Sequence, residues 1–198
     1  APDPSGAPIP LIGRWKMLDN LRRTLFAPAA FLTLIAGWTL PFAAASIWTT
    51  FVLACIAIPA LLQVLISAIP RRRGISNRSH ARAVGTDLML AASHIGLTVT
   101  LLAHQAWLMT DAIVRTLTRV YVTRRKLLEW VTAAQAKSGF DLSLRSSYRR
   151  MSAAVALAFA AVILVAFQSW EVWPIAAPFA LVWALSPKIA YLISLPPA

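Results

Sequence analysis

Hydrophobic and charged positions fall in long separate blocks along this chain. Residues 25–69 contain no charged side chain. A helix needs about 20 apolar residues to cross the hydrocarbon core of a bilayer, so this block is long enough to cross twice. Gly37, Pro41 and the aromatic residues Trp38 and Phe42 mark a turn near its middle, at the depth expected of a membrane interface. The pattern predicts a transmembrane hairpin over residues 25–70.

A second apolar block predicts a second hairpin over residues 151–196. Residues 151–168 are uncharged and rich in helix-forming residues. Trp170, Glu171 and Trp173 follow as an outer turn, with two indoles at head-group depth. The last crossing contains Pro178, and Lys188 lies near its inner end, where its long stem can reach the membrane surface.

The start of the chain predicts a linker followed by a helix at the membrane surface. Four prolines within residues 1–12 disfavour regular structure there. Over residues 13–24 the apolar side chains, Trp15 among them, keep to one face and the basic side chains to another. We therefore expect an interfacial helix whose basic end faces the cytoplasm.

Residues 104–137 have an amphipathic helical pattern with too many charges for a crossing. A charged side chain near the bilayer centre costs about 2.5–3.5 kcal/mol, so the interface is the favoured position. An ordinary solvated face packed on protein is an equal alternative for any single arginine. The side chains predicted to meet anionic lipid head groups are Arg115, Arg119, Arg124, Arg125 and Lys126.

Residues 84–109 are ambiguous, because their apolar content permits a crossing but Asp87, His94 and His104 interrupt it. If this segment crossed the membrane, the arginines that follow it would lie outside. The chain would then have to cross back before Arg150, but there is no apolar run between Glu129 and Arg150. The preferred interpretation is a re-entrant or interface-lying helix packed on protein. Residues 71–150 then form a cytoplasmic and interface region, and the fold is an all-α membrane protein with about four transmembrane helices in two hairpins.

Composition supports a membrane protein and limits its chemistry. The chain is 59% hydrophobic with a mean hydropathy of +0.67 and a net charge of +12, which favours anionic lipid over nucleic acid as partner. Cys55 is the single cysteine, so an intrachain disulfide is excluded. Asp87 and His94, like His104 and Asp111, stand seven residues apart and could share a helix face. A metal site or proton relay is one interpretation, and a buried histidine hydrogen-bonded to a neighbour is the commoner one.

Three segments resemble one bacterial enzyme family in collinear order. They are DAIVRTLTRVYVTRRKLLEWVTAAQAK (residues 111–137), GRWKMLDNLRRTLFAPA (residues 13–29) and SPKIAYLISLP (residues 186–196). Together they resemble the region that follows the glycosyltransferase core of cyclic β-1,2-glucan synthases. The apolar blocks and flanking basic residues predict several crossings with both ends of the segment cytoplasmic. The resemblance implies a parent enzyme of the bacterial inner membrane that uses UDP-glucose and a divalent metal. It also implies a catalytic domain upstream and carbohydrate-processing domains downstream.

No catalytic motif is recognisable within the chain, so the resemblance assigns no catalytic, cofactor or metal role to it. For binding of the glucan acceptor we single out the aromatic and polar groups predicted near the inner surface: Trp15, Asp19, Asn20 and Trp130. The competing interpretation is that interfacial tryptophans are membrane anchors and that Asp19 pairs with Arg22 or Arg23. Two other function classes stay open, a small independent transporter or channel subunit and a purely structural anchor.

Overall fold

The computed structural model describes residues 10–69, 77–124, 143–168 and 170–195, and within these ranges the chain is helical with no strand. A π-helix, Thr118–Thr123, extends the third helix, and a 3-10 turn, Trp170–Val172, precedes the last. The helices are α1 (Leu11–Gly37), α2 (Phe42–Ala68), α3 (Asn77–Leu117), α4 (Leu144–Arg150), α5 (Ser152–Gln168) and α6 (Trp173–Ser194). The prediction of an all-α membrane protein is confirmed.

By length and composition, three of these helical segments could each cross a membrane. They are Phe42–Ala68, Arg78–Thr123 and Trp170–Ser194. A fourth crossing results if α4 and α5, which are bent by 65° relative to each other, are taken together. The chain therefore carries three to four candidate spans among its described residues, in agreement with a membrane location.

The first hairpin turns where the sequence predicted, but its two helices are unequal. α1 begins at Leu11 and runs unbroken to Gly37, so the predicted interfacial helix and first crossing form one helix. α1 is not among the candidate spans. Its uncharged part, residues 24–37, is shorter than the roughly 20 residues that a full crossing needs. At the turn the two helices approach so closely that a Cβ atom on Gly37 would lie 2.9 Å from the Cβ of Trp48.

Two fully buried tryptophans connect the helices of the core. Trp183 of α6 donates a hydrogen bond from Nε1 to the carbonyl oxygen of Val99 on α3, at 3.0 Å. Trp38, at the end of α1, donates from Nε1 to Oγ1 of Thr49 on α2, also at 3.0 Å. The two indole centroids are 5.7 Å apart. Each indole thus fills the core with apolar surface and satisfies its one polar group, and the pair joins four helices.

The structure differs from the preferred interpretation at residues 84–109. This segment is part of one continuous helix, α3, which packs against α1, α2, α5 and α6 and buries Leu102, Ala103 and Ala106. It is a continuous helix rather than a re-entrant loop and packs on protein as predicted, and whether it lies at the interface or crosses the bilayer stays a prediction. The sequence argument counted Asp87, His94 and His104 as interruptions of a span, whereas Asp87 and His94 lie on the side of α3 that faces α2.

The helix directions place the basic residues at two ends of the bundle. The later residues of α2 face the earlier residues of α3, with Nε2 of His80 3.0 Å from the carbonyl oxygen of Ala68, so these helices are antiparallel. α1, α3 and α5 therefore run one way and α2 and α6 the other, with Leu11 and Leu195 at the same end, called here the terminal end. At 1.5 Å per residue, Leu117 lies about 27 Å beyond Val99 toward the opposite end, called here the turn end.

This arrangement separates two basic clusters that the sequence analysis placed on one side. Arg115 and Arg119 lie toward the turn end, whereas Arg145 and Arg150, near the start of α5, lie at the terminal end. The two clusters can lie on the same membrane surface only if α3 does not cross the bilayer. Which end faces the cytoplasm stays a prediction.

The long helix predicted over residues 104–137 ends earlier. Arg124 has φ 48° and ψ 25°, a left-handed conformation that terminates the helical run after Thr123. β-Branched residues in the last turns, such as Val120 and Val122, weaken helix propensity there. The remainder of the predicted helix, residues 125–137, lies outside the described residues.

α5 and α6 pack against each other as a helical hairpin at the position predicted for the second transmembrane hairpin, and the crossing of the bilayer by both helices stays a prediction. The turn between them carries Trp170 and Trp173, whose rings are stacked with centroids 5.9 Å apart and planes 4° apart. α6 contains both Pro178 and Pro187 and continues through them to Ser194. At the start of the hairpin, Oγ of Ser143 accepts a hydrogen bond from the backbone N–H of Ser146 and caps α4.

Candidate functional site

The predicted acceptor-binding residues on α1 lie on an exposed helical surface near the terminal end. Trp15 is 71% exposed, and Asn20 is also exposed. Trp130, the fourth residue of that set, lies outside the described residues. The structure therefore brings three of the four onto neighbouring turns of one helix, without forming an enclosed cavity around them.

Asp19 is engaged by arginines, as the competing interpretation expected. Its Oδ1 accepts from Nη2 of Arg22 at 3.0 Å, and its Oδ2 lies 2.7 Å from Nη2 of Arg23. The hydrogen bond from Arg22 holds the pKa of the Asp19 carboxyl below its usual value, and Arg23 acts in the same direction. A carboxylate with two guanidinium partners has less capacity left for sugar hydroxyls, which weakens its assignment as a ligand.

The predicted lipid-binding arginines are only partly described. Arg115 pairs with Asp111 one turn earlier, with Nε donating to Oδ1 at 2.8 Å and Nη2 2.8 Å from Oδ2. This bidentate pair neutralises one of the charges assigned to lipid. Arg119 and Arg124 follow at the end of the helical run, while the positions of residues 125 and 126 lie outside the described residues.

The paired histidine and aspartate positions have different environments. Asp111 bonds to Arg115 rather than to His104, and Nδ1 of His104 is buried with no hydrogen-bond partner in the described structure. Asp87 and His94, by contrast, line the same groove. Among the described residues no cluster of three or more His, Cys, Asp or Glu is placed to hold a metal ion.

That groove, between α2 and α3, is the feature that sequence reasoning missed. It is an open groove with a volume of about 670 Å³ and has both polar and apolar walls. On each helix, the residues that line the groove are three or four positions apart and so share one helix face. They include Pro59, Gln63 and Ser67 on α2 and Asp87, Leu90 and His94 on α3. The spacing of four between Gln63 and Ser67 was visible in the sequence. Their position opposite Asp87 and His94 depended on how the two helices pack. We call this feature the polar groove.

A second crevice lies between α5 and α6 and is almost wholly apolar. It measures about 760 Å³, and its lining includes Phe159, Trp173, Pro178 and Leu181. Such a surface suits lipid acyl chains and offers little hydrogen bonding to a sugar. The polar groove is therefore the better candidate for a functional site.

Comparison with known proteins supports the resemblance found in the sequence. No protein-family model matches the chain. The chain is 37% identical over 185 residues, 93% of its length, to the cyclic beta-(1,2)-glucan synthase NdvB of Rhizobium meliloti (strain 1021). The chain is related to this synthase. It spans only 6% of the length of that protein, so the match is to one segment of a much longer chain. Together with the apolar helices, the match makes this a membrane segment related to a glycosyltransferase.

Proposed function

We propose that this chain is the transmembrane and interface module of a processive membrane glycosyltransferase that builds β-(1,2)-glucan from UDP-glucose. The observation that carries the proposal is the 37% identity over 93% of the chain to a cyclic β-(1,2)-glucan synthase. The catalytic motifs lie outside this segment, in an upstream domain of the same longer chain, and carbohydrate-processing domains follow downstream. UDP-glucose and a divalent metal bind to that catalytic domain.

The proposed location is the bacterial inner membrane, with both ends of the segment cytoplasmic. Its support is that Leu11 and Leu195 lie at the same end of the bundle and that several arginines cluster there. Positive side chains are retained preferentially on the cytoplasmic side of bacterial membranes. Basic residues near the membrane surface contact anionic lipid head groups, and Trp15 and Asn20 form part of the surface that the glucan acceptor approaches.

A segment exchange in the related synthase tests this function. Residues 10–195 of this chain replace the matching segment of the Rhizobium meliloti protein in cells that lack their own synthase. Membranes are then given radiolabelled UDP-glucose, and labelled β-(1,2)-glucan is measured at equal protein content. We expect the exchanged protein to make glucan, because the matched segment supplies the same contacts to the catalytic domain.

A control exchange separates a specific module from a simple anchor. An unrelated bundle with the same number of crossings takes the place of this chain and should abolish synthesis. If that bundle supports as much glucan as this chain, the segment is a structural anchor. If the exchanged protein inserts normally and makes no glucan, while this chain alone conducts solutes in proteoliposomes, it is a transporter subunit and the proposal fails.

A further inference from the structure

The polar groove contains side chains that lack partners within the described structure. Asp87 is half-buried, Gln63 and His94 are exposed, and none of the three side chains makes a hydrogen bond or an ion pair there. The other two described aspartates, Asp19 and Asp111, are each paired with an arginine one turn later. The residues one turn after Asp87 are apolar, so its own helix offers no such partner.

Unpartnered polar groups at this position are costly if the helices are surrounded by lipid. Asp87 lies about 15 Å along α3 from its first residue, within a candidate span. Carboxylates inside membrane helices are rare, face the protein interior or an aqueous cavity, and mark binding sites or transport pathways. Asp87 is also on the groove wall rather than on the opposite face of α3. A molecule that occupies the groove could therefore supply a partner to Asp87.

The chemistry of the walls indicates the class of occupant. Gln63 both donates and accepts hydrogen bonds, His94 does the same when neutral, and Asp87 accepts them. Oγ of Ser67 donates to the carbonyl oxygen of Val64 and keeps acceptor capacity. A volume of about 670 Å³ is far larger than an ion needs and falls within the range of organic ligand sites. Apolar patches at Pro59 and Leu90 suit the C–H surfaces of a sugar ring.

We propose that the polar groove binds a segment of the glucan chain, with its hydroxyls hydrogen-bonded to Gln63, Asp87 and His94. This inference rests on the proposed function, which supplies the glucan. A polyhydroxylated chain matches walls that carry both donors and acceptors, whereas a metal ion held by Asp87 and His94 would leave most of the groove's volume and the amide donor of Gln63 unused. Binding here holds the growing polymer at the membrane module while its end is extended elsewhere.

Site-specific photocrosslinking in the full-length synthase tests the occupant directly. A photoreactive amino acid replaces Leu90 on the groove wall, and in a matched variant it replaces Leu88, which is also exposed but does not line the groove. Synthesis runs with radiolabelled UDP-glucose and is followed by illumination. We expect labelled glucan attached to the protein at position 90 at least fivefold above that at position 88. Equal labelling at the two positions, or capture of only protein or lipid at position 90, overturns the proposal.

Substitutions give an independent kinetic reading. The double variant Gln63→Leu and His94→Leu removes two hydrogen-bonding groups and keeps apolar bulk, and each lost bond is worth about a factor of five to ten. We expect glucan at least fivefold shorter or slower to form, with an unchanged KM for UDP-glucose. The control is Ser93→Leu, an exposed serine that bonds to its own helix at the carbonyl of Met89. Unchanged product length and unchanged rate in a well-expressed double variant contradict the proposal, whereas absence of glucan from the unmodified protein contradicts the proposed function instead.

Discussion

Trp183 is the position where one substitution should loosen the whole bundle. Its side chain is fully buried and bonds to Val99 on α3, and its aromatic neighbours are Phe31 of α1, Trp38 directly after α1, and Phe179 of α6. Replacing a buried tryptophan by alanine removes these contacts and leaves a cavity, at a typical cost of about 3–5 kcal/mol. Trp183→Phe keeps a ring and loses the N–H donor, so about 1–2 kcal/mol is expected.

Cys55 provides an internal reporter for this measurement. It is the chain's single cysteine, is partly buried on α2, and becomes accessible to a thiol-reactive dye when the helices separate. For a chain of this size, 1 kcal/mol changes the unfolding midpoint by about 2–4 °C. Heating the purified chain in detergent should therefore show the Trp183→Ala midpoint lowered by about 6–20 °C, and Trp183→Phe lowered by a few degrees.

The matched control is Trp15→Ala, because Trp15 is 71% exposed and surface substitutions are usually worth less than 0.5 kcal/mol. A midpoint for Trp183→Ala no lower than that of Trp15→Ala would refute the reasoning. In that case Trp183 would not hold α6 against α1 and α3, and the bundle would owe its stability to other contacts.

Three further outcomes follow from particular contacts. Gly37→Ala should lower stability by about 1–3 kcal/mol, because its Cβ would come 2.9 Å from an α2 side chain, whereas Gly96→Ala, with nothing within 4 Å, should be neutral or stabilising in the same thermal assay. In a cysteine-free background, cysteines are introduced at Arg119 and beside Glu171 and treated with an impermeant thiol reagent from the periplasm. Both should react if α3 crosses the membrane. If the cysteine at Arg119 alone is protected, residues 71–150 lie on one side of the membrane. The pKa of the Asp19 carboxyl is lower in the folded protein than its usual value. Its ion pairs therefore stabilise the fold fully at pH values above the pKa of the unfolded chain, and this stability is lost as the pH falls through the lower pKa of the folded chain. Carboxyl NMR should show a higher Asp19 pKa in the Arg22→Gln variant.

The sequence by itself determined the helical class, both hairpin turns and the relation to a glucan synthase. Uncharged blocks long enough to cross a bilayer are a local property, because every backbone group in lipid must be satisfied within its own helix. The tryptophans and prolines at residues 38–42 and 170–174 mark turns for equally local reasons. The competing interpretation of Asp19 was also within reach, since its partners stand three and four residues away.

The tertiary structure decided the packing of α3 and the existence of the polar groove. Counting charges along residues 84–109 treats each side chain as facing lipid, but packing against four other helices buries Leu102 and Ala106. Asp87 and Gln63 are 24 positions apart in sequence, and no helical periodicity relates residues on different helices. Their meeting depends on the antiparallel packing of α2 and α3, so the groove that best fits a function arises from contacts between helices rather than from any single segment.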